Sequence, residues 1–210
     1  MTNENIIKRN SLLAEKLIKG LESRNMKGYY AENKKDALRL ALELIPENAT
    51  CSMGGCMSAI EIGLVQELKK GPYNFLDRAQ YENPRDAYLE TYDADVFLAS
   101  CNAITDDGIL VNIDGNSNRV SAIAYGPKKV VFIVGMNKVA KDLDSAMKRA
   151  RNVAAVTNAQ RFDINTPCKK TGKCMDCKSP DTICCQFLIT RFSRAGGRIH
   201  IILVNDSLGF

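Results

Sequence analysis

KVVFIVGMNKVAKDLDSAMKRARNVAAVTN, residues 129–158, holds the pattern that decides the fold. Its first six residues, Lys129–Val134, form the most apolar short run in the chain. An unbroken run of β-branched and aromatic residues suits a strand buried on both faces. From Asp142 to Asn158 the period changes, and Leu143, Ala146, Ala150 and Val153 recur at helical spacing with charged residues between them. A buried strand followed by an amphipathic helix is the repeating unit of a parallel α/β sheet.

Working outward, the same alternation continues in both directions. Upstream lie the apolar strands 95–100 (DVFLAS) and 109–113, the second ending at the turn Asp114-Gly115-Asn116. Before them come a strand at 49–53, the pair Gly54-Gly55, a helix over 57–69, a strand at 73–76 and a short helix at 84–92. Residues 4–22 place Ile6, Ile7, Leu13, Leu17, Ile18 and Leu21 on one stripe, with Gly20 and the 25–28 segment marking the helix end. A short strand at 26–31 follows, then a helix capped by Asn33, carrying Asp36 in its first turn and ending at Pro46. Downstream, RIHIILV at 198–204 is a last strand. The expected architecture is a mostly parallel sheet with helices on both faces, in one domain over 1–210. Residues 1–46 form its N-terminal helical region, and 163–185 read as a cysteine-rich insertion.

Composition agrees with an ordinary globular chain: 210 residues, 45% apolar, 25% charged. The net charge of +5 is diffuse, and with no Trp and 7% aromatics there is no stacking platform, so nucleic-acid binding is not expected. No apolar window reaches the ~18 residues of a membrane span, and the N-terminal residues lack a signal-peptide core. The expected compartment is the cytoplasm, where the eight cysteines stay reduced and point to metal or redox chemistry.

Two stretches gather groups suited to binding a small anion. In SMGGCMSAIEIG, residues 52–63, a strand runs through Gly54-Gly55 into a helix, bringing backbone N–H groups together where a phosphate or carboxylate can approach. A plain tight turn is the competing explanation. In SCNAITDDGILVNIDGNSNRV, residues 100–120, Asn102, Asp106, Asp107, Asn112 and Arg119 surround two short β segments. Asp107-Gly108 and Asp114-Gly115 are explained by turn chemistry, whereas Asn102, Asp106 and Arg119 are not. Asp106, with Asp107 as the more turn-like neighbour, is the candidate general base. Gly54, Gly55, Cys56, Asn102 and Arg119 are the candidate ligand contacts, with Arg119 facing a carboxylate. Cys51 reads as a buried apolar thiol, while Cys56 and Cys101 fall beside the candidate loops. His200 is the lone histidine, so a catalytic triad or a histidine-rich metal site is excluded.

The remaining cysteines, Cys168, Cys174, Cys177, Cys184 and Cys185, are spaced C-x5-C-x2-C-x6-C-C in a polar, turn-rich segment. Closely spaced thiolates joined by a later one suit an iron–sulfur cluster, and four in a tetrahedron suit zinc. Thiols without metal remain the third alternative, and which of Cys184 and Cys185 is a ligand stays open.

The runs ADVFLASCNAITDDGILVNIDGNSNRV (94–120), GPKKV (126–130), VGMNK (134–138), TPCKKTGKCMDC (166–177) and LGF (208–210) resemble the LUD-domain family of lactate-utilisation proteins. The resemblance implies the fold shared by ribose-5-phosphate isomerase, glucosamine-6-phosphate deaminase and CoA transferases. It also implies a ligand at the C-terminal ends of the parallel strands, over the Gly54-Gly55 loop. Some relatives belong to a system that oxidises L-lactate with iron–sulfur partner proteins. The chain departs from the best-known of these in lacking a ferredoxin-like C-terminal extension, in having its own cysteine cluster, and in carrying Cys56 where some relatives have Ser or Thr. The expected function is binding of a small anionic organic acid within a redox system, with an iron–sulfur or other metal site in the cysteine cluster. The alternatives are an isomerase- or transferase-like enzyme acting on a phosphorylated or acyl substrate, with a structural zinc, and a ligand-sensing regulator without turnover. Which acid, which partners and whether the chain forms a homo-oligomer are left open by the sequence.

Overall fold

The computed structural model describes residues 4–210. Among the described residues ten strands are joined by nine α-helices. The strands are β1 (Lys27–Ala31), β2 (Thr50–Met53), β3 (Asn74–Phe75), β4 (Val96–Ala99), β5 (Ala103–Thr105), β6 (Leu110–Asp114), β7 (Lys129–Gly135), β8 (Val139–Ala140), β9 (Gln186–Thr190) and β10 (Ile199–Val204). The helices are α1 (Glu4–Ser23), α2 (Lys34–Leu44), α3 (Met57–Glu61), α4 (Leu64–Lys70), α5 (Pro84–Thr91), α6 (Asn118–Ala124), α7 (Leu143–Arg149), α8 (Val156–Ala159) and α9 (Pro167–Thr171).

The main sheet has six strands in the order β1-β10-β7-β4-β2-β3, and every neighbouring pair is parallel. Its centre explains the apolar runs. In β7, Val130, Phe132 and Val134 pack toward Leu17 and Leu21 of α1, while Val131 and Ile133 pack toward Ala37 and Ala41 of α2 and Leu64 and Leu68 of α4. With helices on both faces no position from Val130 to Val134 is left for a polar residue. The register Phe132↔Ile201 and Val130↔Phe97 continues each face across β10 and β4. Among the described residues no helix is long and apolar enough to cross a membrane.

The 1–46 region is more than helical, because β1 joins the edge of the main sheet beside β10. Gly20 does not stop α1, which runs on to Ser23. A Cβ at Gly20 would lie 2.5 Å from the Asp107 carbonyl oxygen, so glycine there admits the β5–β6 turn against the helix. The helix expected over 57–69 breaks into α3 and α4 at Gly63, which takes φ +81.

A second sheet, β8-β5-β6-β9, was not expected from the sequence. Its β5–β6 and β6–β9 pairs are antiparallel. It packs Ala103, Val111 and Ile113 against Ala146, Ala150 and Ala155, small side chains that let sheet and helix approach closely. The helix they come from is α7, continued through a π-helical stretch at Ala150–Ala155 into α8. Residues 163–185 lie between α8 and β9 and include α9.

Candidate functional site

In chain order the connection after β2 runs to β3 on one side, and the connection after β4 leads to β7 on the other. The gap between neighbouring strands whose connections diverge is where open α/β sheets leave a crevice at their C-terminal ends. A cavity of about 400 Å³ occupies that position. It is walled by the segments that follow four parallel strands: Gly55–Ser58 after β2, Ser100–Asn102 after β4, Lys138 after β7, and Gly209 and Phe210 after β10. Ile113–Asn116 with Asn118 and Arg119 close one side, and Asn158, Arg161, Phe162, Ile164 and Ile183 another. The volume suits a small molecule.

The lining carries four cationic side chains, Arg78, Arg119, Lys138 and Arg161, against one acidic side chain, Asp114. Arg119 is held on several sides by the protein. Its guanidinium donates to the Ser100 carbonyl at 3.3 Å, to Asn102 Oδ1 at 3.4 Å and to the Ile113 carbonyl, and Nε lies 3.5 Å from Asp114 Oδ2. Burial lowers its pKa, and the Asp114 carboxylate opposes that shift. A Cβ at Gly54 would meet the Arg119 Cγ and Cδ at 3.0 Å, so the first glycine of the pair makes room for the Arg119 stem. At Gly55 nothing lies within 4 Å of an added Cβ, and this glycine lines the cavity. Asn102 receives the Ile113 N–H at 2.8 Å and fixes the floor between β5 and β6. Arg161 stacks over Phe210 at 5.8 Å, and Arg78 over Tyr88 at 5.6 Å.

Lys138, Arg78 and Arg161 line the cavity and were not singled out by the sequence reasoning, Lys138 being the most buried of them. Lys138 ends the 3-10 turn Met136–Lys138 that follows β7 and is only 3% exposed. Its Nζ donates to Ser100 Oγ at 2.8 Å and to Ser58 Oγ at 3.2 Å. Burial pushes its pKa down, the buried Cys101 and Cys56 thiols pull it up, and Arg149 adds to the lowering. The one available signal was its place directly after the most apolar strand, at the end of the VGMNK run.

The structure brings Gly55, Cys56, Asn102 and Arg119 to one cavity, with Gly54 behind Arg119. Asp106 and Asp107, expected to face it, lie elsewhere. Asp106 pairs with Lys16 of α1 at 2.7 Å, and Asp107 receives hydrogen bonds from Arg24 and Thr105. The β5–β6 hairpin turns both carboxylates toward α1 rather than toward the crevice. Asn112 lies beneath the cavity wall, donating to the Ser100 carbonyl at 2.9 Å.

Cys56 and Cys101 line the cavity but are buried, and burial raises both thiols, Cys101 to about 11. They are therefore protonated and weakly nucleophilic at neutral pH. Cys51 is buried away from the cavity and is pushed up to about 12. His200 is buried in β10 between Tyr29 Oη at 3.0 Å and the Gly197 carbonyl at 2.8 Å.

The five C-terminal cysteines are free thiols, four partly buried and Cys185 exposed. Cys184 is raised to about 11, first by burial and then by the Cys174, Cys168, Cys177 and Cys185 thiols around it. Among the described residues no group of three or more His, Cys, Asp or Glu side chains is set to hold a metal ion. The loop touches the cavity, because Ile183 is in its wall and Cys185 N–H donates to the Asp114 carbonyl at 2.9 Å.

Comparison with known proteins places the architecture. The sequence matches the LUD domain over residues 14–204. The chain belongs to the LUD-domain family. A DUF162 family protein from Deinococcus radiodurans is similar in structure, with a TM-score of 0.54 at 11% identity, covering 93% of this chain and 98% of that one. Ribose 5-phosphate isomerase A from Neisseria gonorrhoeae aligns at a TM-score of 0.36 and 19% identity, over 52% of this chain and 54% of that one. The delta subunit of eIF2B from Chaetomium thermophilum aligns at 0.35 and 15%, over 67% and 57%. No curated protein matches the sequence. LUD-domain membership links the chain to lactate utilisation.

Proposed function

We propose that this LUD-domain protein binds a small anionic organic acid of the lactate and pyruvate class in the cavity between β2 and β4, as a component of a redox system. The observation that carries the reading is the excess of four cationic side chains over one acidic side chain in a cavity of about 400 Å³. Charge of one sign within low-dielectric walls concentrates the opposite charge. Arg119 supplies a fixed positive field, since its donors are taken up by the protein, and Lys138, Arg78 and Arg161 are left to meet the ligand.

The test is thermal denaturation with L-lactate, pyruvate and inorganic phosphate, each against the uncharged lactamide. The organic acids are expected to raise Tm in a saturable way, reaching about 2.7 kcal/mol at a hundredfold excess over Kd. Equal effects of lactamide and lactate would reject a charge-selected site, and stabilisation by phosphate alone would move the reading to phosphorylated substrates.

A second reading concerns the cysteine-rich loop. We propose that Cys168, Cys174, Cys177, Cys184 and Cys185 take up an iron–sulfur cluster, or zinc as the alternative. Support comes from the close spacing of these five cysteines within residues 168–185 and from the partial burial of four of them. The metal would have to draw the sulfurs into a common shell. Anaerobically purified protein is expected to contain metal, and Cys174→Ser with Cys177→Ser to lose it while the α/β core melts as before. Unchanged metal content in the double variant would sink this second reading.

A further inference from the structure

We propose that Lys138 is a nucleophile whose amine condenses with the carbonyl group of a bound 2-oxo acid to give a reversible imine. The inference rests on the anion-binding reading and names its substrate class. Lys138 lines the cavity yet is almost fully buried, and its Nζ hydrogen-bonds two neutral hydroxyls, Ser100 at 2.8 Å and Ser58 at 3.2 Å. Among the described residues no carboxylate comes within ion-pair distance of it, although eight other cations make nine ion pairs with Asp or Glu. The Ser100 hydroxyl donates to the Ile133 carbonyl at 2.6 Å, so it meets the amine as an acceptor and fixes its direction. Gly209 approaches the same nitrogen, and a Cβ there would lie 3.2 Å from Nζ, so a side chain at this position would crowd the amine.

A lysine kept only to attract a carboxylate gains from water or an acidic partner that preserves its charge. Here burial works the other way and favours the neutral amine, the state that attacks carbonyl carbon. Arg149 reinforces this, while the Cys101 and Cys56 thiols and Glu61 oppose it. The surrounding arginines suit the carboxylate of a 2-oxo acid, which leaves its adjacent carbonyl to the amine.

In the reaction the ammonium first gives one proton to solvent. The nitrogen lone pair then forms the C–N bond as the carbonyl π pair moves to oxygen. The oxygen leaves as water with the two hydrogens the amine carried, and the nitrogen pair closes the C=N bond. Ser58 Oγ is placed to pass one of those protons. No oxidant or reductant is consumed, and water reverses the step.

The experiment is incubation of the wild-type protein with pyruvate and sodium cyanoborohydride, followed by proteolysis and peptide mass mapping. The expected result is a stable secondary amine on the peptide containing Lys138 ahead of the exposed lysines, absent in Lys138→Met and suppressed by L-lactate, which has no keto group to trap. Thermal stabilisation by pyruvate is read in parallel. If pyruvate stabilises the protein but Lys138 is labelled no faster than exposed lysines, the imine is overturned and the anion site stands. If neither stabilisation nor label is found, both fall.

Discussion

Replacing Lys138 with methionine is expected to make the unliganded protein more stable and to abolish its response to organic acids. Lys138 is 3% exposed, and a charge removed from water without an ion partner is a net cost to the fold. Methionine keeps an unbranched stem of similar length, and the two serines retain their own contacts, Ser58 to Ser100 at 3.4 Å and Ser100 to the Ile133 carbonyl at 2.6 Å. The gain should be roughly 1–2 kcal/mol, the low end of what apolar replacement of buried charge returns. A stabilising substitution that removes function marks a residue held at a cost to stability.

The pH dependence gives the sign. The Lys138 pKa is lowered from the ordinary 10.5 in the folded protein. Between the two values the unfolded chain binds a proton that the folded chain does not, so wild-type stability rises with pH across that window. Below the folded pKa the full penalty is present, and above 10.5 it is gone. The advantage of Lys138→Met should therefore be largest at neutral and acid pH and shrink in alkali. A variant less stable than wild type at pH 7 would make Lys138 a structural residue.

Asp114→Asn is expected to give the largest loss of stability of any isosteric change in the site. The Asp114 and Arg119 side chains are 8% and 17% exposed, and Nε and Oδ2 stand 3.5 Å apart. Asn retains the acceptor that caps Asn116 N–H at 3.0 Å and Ser117 N–H at 3.1 Å, so the change isolates the charge. Removing one partner of a buried pair costs about 3–5 kcal/mol, and the residual exposure of Arg119 brings the expectation to about 2–3 kcal/mol. Asp106→Asn is the comparison. Its partner Lys16 is 62% exposed, so the loss should stay within about 1 kcal/mol. Denaturant titration of the two variants orders them, and equal losses would contradict the description of Asp114 as the counter-charge of the cavity. Acid binding should survive in Asp114→Asn, because the lining loses its one acidic side chain.

What was legible in the sequence follows from burial. Strands covered on both faces are almost wholly apolar, so β4, β7 and β10 stand out as apolar runs despite Lys129 and His200, and the parallel sheet is readable from them. The second sheet is not, because β5 and β8 are only three and two residues long and β9 follows directly on a segment whose cysteines dominate the pattern. The π-helical stretch within 143–159 leaves no mark either, as its alanines suit an α-helix equally well. Gly54, Gly55, Asn102 and Arg119 were readable because local turn chemistry did not explain all of them. Asp106 and Asp107 were misplaced because a hairpin's direction depends on packing against α1, through Gly20, a contact between segments far apart in the chain. Lys138 was passed over because a lysine after a strand ordinarily marks solvent, and only the sheet geometry buries it.

The central claim is that a small organic acid occupies the crevice at the C-terminal ends of β2, β4, β7 and β10. A crystal structure of the wild-type protein grown with saturating pyruvate tests it most directly. The expected result is the acid bounded by Lys138, Arg119 and the Gly55–Ser58 turn, with its carboxylate toward the arginines and its carbonyl carbon against Lys138 Nζ. A cavity holding only solvent at saturating pyruvate, or the acid bound at another surface, would contradict the account.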